Sequence, residues 1–180
     1  MSTATRTDAE RSGWLTGSFR DRESSEAAYQ NLKARGYTDE DINVLMSDQT
    51  RDKWYGKDEP TELGTKAPEG ATAGGLIGGG LGAVIAGIAA VGTNLVLPGL
   101  GLIVWGPLAA ALAGAGAGGA AGGVIGALVG HGIPEEHARL YEEDLKKGDA
   151  VIGVRPRTPE DAEYFENDWR TNHRGEHIYR

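Results

Sequence analysis

The sequence predicts an α+β fold, a reduced ferredoxin-like βαβ…αβ sheet interrupted by a glycine-zipper helical hairpin. Three observations carry this reading. Residues 13–48 run strand, helix, strand; residues 133–155 run helix, strand; and from Ala71 to Gly130 there is no Asp, Glu, Lys or Arg. A helix returning to a strand beside a first β-α-β unit is what a split β-α-β sheet needs.

Residues 1–12 read as a disordered polar leader without an apolar core, so no secretory signal is expected. Trp14 to Phe19 has the aromatic ends of a short strand. Asp21 to Arg35 reads as a helix, with Asp21, Glu23 and Glu26 early and Lys33 and Arg35 late, as the macrodipole favours. Gly36 suits its C-terminal cap. Ile42 to Met46 is the second strand, and the polar stretch 49–70, with Pro60 and Pro68, reads as a linker. After the uncharged segment 71–132, Pro134, Glu135 and Glu136 open a helix to Lys147, closed by Gly148. Ala150 to Val154 is a third strand. Residues 156–180 read as an acidic helix opened by Pro159, followed by a loosely held tail.

The chain holds 29 glycines, most of them between Gly74 and Gly132. The uncharged segment divides at a loop expected from Asn94 to Gly101, where Pro98-Gly99 is a strong breaker pair. In the first arm Gly74, Gly78, Gly82, Ala86 and Ala90 recur every fourth residue. In the second, Gly106, Ala110, Gly114, Gly118, Gly122, Gly126 and Gly130 do the same. Residues four apart share a helix face, so each arm would present a groove almost free of side chains, the geometry of small-xxx-small association. Glycine costs about 1 kcal/mol per helix position against alanine, so only dense packing can offset such a row. The glycines named in the two rows are therefore the expected helix-packing and oligomerisation residues, and the expected partner is a second copy of the chain. The arms are also long enough to enter a bilayer, since about 20 residues span about 30 Å. Ala113 to Gly123 contains only Ala and Gly, which is weak for lipid contact.

Composition narrows the function classes. With 18 Lys plus Arg against 26 Asp plus Glu, the net charge is -8, which argues against nucleic acid and against docking on anionic lipid. The absence of cysteine removes disulfides, thiolate metal sites and cysteine nucleophiles, and fits a cytoplasmic setting. Gly78-x-Gly80-x-x-Ala83 and Gly114-x-Gly116-x-x-Gly119 match a loose dinucleotide fingerprint, the basis for a nucleotide-binding enzyme. Neither follows an expected strand, and a glycine-rich segment yields such matches by chance. His173 and His177 stand four apart, as two metal ligands on a helix could. Gly175 between them and the lack of a third ligand favour surface histidines, as for His131 and His137. The acids at 135, 136, 142, 143 and 144, and those at 160, 161, 163, 166 and 168, read as solvated helix faces. No catalytic residue, cofactor site or metal site is expected.

Four stretches carry a resemblance: Gly17-Ser18-Phe19 before Asp21, Gly36 to Ile42, Leu97-Pro98-Gly99-Leu100-Gly101, and Gly132-Ile133-Pro134-Glu135-Glu136 with Tyr141. In these the chain resembles the bacterial heat-induced general stress protein family (YflT-like), over Trp14 to Val154. The resemblance implies induction under stress, with no known catalysis and no established cofactor. The expected function is thus a non-enzymatic stress protein that self-assembles through its glycine rows. A membrane-inserted hairpin at the cell envelope is the alternative.

Overall fold

The computed structural model describes residues 13–55, 95–97, 101–109 and 123–180. Its elements are β1 (Leu15–Phe19), α1 (Arg22–Ala34), β2 (Ile42–Ser47), α2 (Asp48–Tyr55), β3 (Leu95–Leu97), β4 (Leu102–Trp105), α3 (Gly123–Gly130), α4 (Glu135–Lys147), β5 (Ala150–Val154), α5 (Pro159–Thr171) and β6 (Glu176–Tyr179).

Local chemistry sets the helix ends. The Asp21 carboxylate accepts the Ser24 N–H at 2.8 Å and starts α1, a cap contributing about 1 kcal/mol. Thr158 caps α5 in the same way, accepting the Asp161 N–H at 3.1 Å with Pro159 at the first turn. α4 begins on Pro134 without a side-chain cap and ends on Gly148 at φ 105, where a residue with a Cβ would be strained. Buried positions Ser25, Ala28, Tyr29 and Leu32 form one stripe of α1.

The six strands form one antiparallel sheet in the order β3-β4-β2-β5-β1-β6. β5 pairs with β1 (Gly17 opposite Ile152) and with β2 (Val44 opposite Ile152). β1 and β2 are therefore parallel to each other, joined by α1 across the inserted β5. Side chains alternate between two cores. Val44, Met46, Ile103, Trp105, Ala150 and Ile152 pack with Ala28, Leu32, Phe165 and Trp169 of α1 and α5. Leu45, Leu102, Val104 and Val151 pack with Val124 and Leu128 of α3 and with Ala138, Tyr141 and Leu145 of α4. Covering both faces explains why β1, β4 and β5 are buried along their whole length rather than alternately. Edge-to-face pairs Phe19–Trp169 (5.4 Å) and Tyr37–Phe165 (5.3 Å) fasten α5 to the first core.

Three expectations are corrected. The loop expected from Asn94 to Gly101 contains β3, which pairs with β4, and β4 pairs with β2, so Leu95–Leu97 are sheet rather than loop. The linker expected at 49–70 begins as α2, because the Ser47 hydroxyl accepts the Thr50 N–H at 3.0 Å as a helix-opening residue does. The tail is not loose: β6 closes one edge of the sheet on β1.

Candidate functional site

The glycine-rich helix α3 has two unlike faces. Val124 and Leu128, four apart, are buried in the second core. Gly126, Val129 and Gly130 point the other way, with Val129 43% exposed. A Cβ added at Gly126 or Gly130 would meet nothing within 4 Å. No residue of α3 is charged, so this outward surface is a bare apolar groove with one valine on its rim. Main-chain bonds lock the end of the helix, with the Gly132 N–H on the Val129 carbonyl (2.9 Å) and the Ile133 N–H on that of Leu128 (3.1 Å).

Gly106 has a different role from its place in the glycine row. It stands at φ 98 in the turn after β4, and an added Cβ would run into the Ile42 carbonyl and lie 2.7 Å from Asn43 Oδ1. Main chains do approach closely here, but between a turn and a strand. Gly123 is also left-handed, at φ 59. The unbroken helix expected from Gly106 to Gly130 is thus interrupted at both positions, since a right-handed helix has no place for positive φ. Gly74, Gly78, Gly82, Gly114, Gly118 and Gly122 lie outside the described residues, as do both dinucleotide-like matches.

The histidines are not simple surface residues: each is partly buried and has its own partner. His131 stacks on Trp14 (ring centroids 6.1 Å apart), and His137 on Tyr179 (4.6 Å). His173 meets Asp168 at 3.0 Å, and His177 Nδ1 meets Asp144 at 2.6 Å. His173 and His177 therefore serve separate carboxylates and do not converge. Among the described residues no group of three or more His, Asp or Glu is arranged to hold a metal ion. Burial, with Arg155 adding to it, pushes His131 below its ordinary value.

Two acids expected on a solvated face are core residues. Asp144 is 2% exposed and Asp168 is buried against Asn31 (2.9 Å) and Asn172 (2.8 Å). Burial pushes the Asp144 carboxyl up, but Ser18, His177 and Lys147 outweigh it and hold it below the usual carboxylate range. Neighbouring Asp149 goes the other way, raised by its own burial and then by the Asp144 charge. Ser18, Asp144 and His177 are the residue types of a nucleophilic triad in the wrong order. Asp144 lies between the other two, and fully buried Ser18 donates to the Glu176 carbonyl at 3.2 Å. A cavity of about 10 Å³ beside Trp14, Thr16, Asn43 and His131 has room for one water and for no organic ligand.

The sequence pattern gave no role to Val129 and read Asp144 and His177 as solvated surface residues. The usable signal was the alternation in Glu176-His177-Ile178-Tyr179, which marks a strand and hence a sheet edge near α4.

Fold and site define an α+β domain with an uncharged helix face that has no partner among the described residues. No family model, no curated protein and no solved structure matches the chain.

Proposed function

We propose that this is a non-enzymatic protein that self-assembles, the outward face of α3 seating against a second copy. The observation that supports it is the open space over Gly126 and Gly130. Each exposed helix glycine forgoes about 1 kcal/mol that alanine would supply, and nothing among the described residues uses the room. A second backbone approaching the groove would use it, and Val129 gains burial at the same contact. The strand order, with β5 between parallel β1 and β2 and β6 beyond β1, supports reading the sheet as ferredoxin-like with β3 and β4 added at one edge. The resemblance to the heat-induced family supplies the setting, a general stress response in the cytoplasm. Among the described residues no helix is long and apolar enough to cross a membrane, and the stretch expected as the hairpin tip contains β3. No observation favours the membrane reading over assembly.

The test is the double variant Gly126→Leu, Gly130→Leu. Both positions are open, so the domain should fold with unchanged circular dichroism while its mass by light scattering in dilute solution falls to the 18.9 kDa of one chain. A folded variant with the same mass as the wild type would reject the proposal.

A further inference from the structure

The last strand hangs on a tight hinge. α5 ends at Thr171 and β6 begins at Glu176. Within the hinge the Asn172 N–H bonds the Asp168 carbonyl (2.8 Å) and the Gly175 N–H bonds that of Trp169 (2.7 Å). Arg174 is forced to φ 50; with His177 (φ 48) it is one of two non-glycine residues in the left-handed region among those described. An exposed arginine there has no short polar side chain to stabilise that conformation locally, as asparagine or aspartate would. Short hinges under strain favour strand exchange between copies, because opening the hinge relieves the strain while the strand keeps its contacts.

The contacts of β6 are suited to this. Its backbone pairs with β1 at Thr16↔Tyr179 and Ser18↔Glu176, with a bulge between that turns His177 toward α4. His177 Nδ1 meets Asp144 (2.6 Å), and the Tyr141 hydroxyl donates to the His177 carbonyl (2.7 Å). Arg20 pairs with Glu176 (2.6 Å), and Ile178 packs on the first core beside Trp169 and Gly17. All of these partners belong to β1, α4, α5 and the turn after β1. None depends on which copy supplies the strand, and a second copy carries the same strand.

We propose that β6 is an exchangeable strap, traded between two copies at the outer edge of β1 to give a two-fold dimer. This interface lies at the sheet edge opposite β3 and is independent of the α3 face.

Two full-length variants test it, Arg20→Glu and Glu176→Arg, both in the Gly126→Leu, Gly130→Leu background so that the strap is read alone. Each variant by itself sets like charges against each other at the strap. In a mixture, exchange restores opposite charges at both sites of a mixed dimer. Native mass spectrometry of the concentrated mixture should show the mixed dimer about fivefold above its statistical share. Adding Arg174→Gly, which removes the hinge strain, should lower the dimer fraction about fivefold. A dimer at the statistical ratio, or no dimer while both variants remain folded, overturns the proposal. Either failure leaves the α3 reading untouched, since that face has been blocked throughout.

Discussion

Two glycine-to-alanine changes in the same periodic row should have opposite signs. At Gly106 the φ of 98 is costly for any residue with a Cβ, about 1–2 kcal/mol for alanine. The new Cβ would also press on the Ile42 carbonyl and on Asn43, whose Oδ1 accepts the buried Leu108 N–H at 2.8 Å. Displacing that bond leaves a buried donor unsatisfied, a further loss of about 1–3 kcal/mol. Gly106→Ala should therefore lose about 2–5 kcal/mol of a total of roughly 5–15, with a fall in Tm of roughly 10 °C. Gly126 is helical and open, so Gly126→Ala should instead gain about 1 kcal/mol in the monomer. Urea unfolding at a protein concentration low enough to hold single chains measures both, since any assembly would make apparent stability depend on concentration. Equal losses at the two sites would refute this division of the row. So would a stabilising Gly106→Ala.

Three further outcomes follow from the same packing. Leu128 is 1% exposed and anchors α3, so Leu128→Ala should cost about 2–5 kcal/mol in denaturant unfolding, and a cost under 1 would mean α3 is not docked. The native Asp144 value lies below the unfolded one, near 3.9, so its stabilisation is complete above that pH and is lost as pH falls through the native value. Asp144→Asn should thus lose about 1.5–3 kcal/mol at neutral pH, and the gap to wild type should close on acidification; a gap unchanged with pH would contradict the assignment. Asp149 is raised, so its ionisation opposes folding above its native value, and Asp149→Asn should stabilise the protein at pH 7 with the gain vanishing in acid.

Much of the domain was readable because local chemistry and tertiary demand agree there. Asp21, Gly36, Pro159 and Gly148 mark helix ends by mechanisms that act within a few residues. The strands β2 and β5 are mostly apolar runs and β1 is a short segment with apolar ends, each between turn signals, and they form the centre of the sheet. The edges were harder. β4 is an apolar run inside a still longer apolar segment, so periodicity alone could not separate strand from helix there. Fourfold glycine spacing did not by itself mark a helix: Gly106 keeps the spacing and Gly123 lies within the same arm, yet both take φ values that no right-handed helix permits. Asp144 and Asp168 were hidden for another reason. An acid on an amphipathic helix reads as solvated until the fold brings its partners, here His177 from β6 and Asn31 from α1.

The α3 face can be examined most directly through Val129. The chain has no cysteine, so Val129→Cys places a single thiol, smaller than the residue it replaces, on the rim of the groove. If copies meet at this face, the thiol should react slowly with a maleimide in concentrated, detergent-free solution and faster on dilution. Fast labelling at the same rate across all protein concentrations would show the groove open to water and contradict the account.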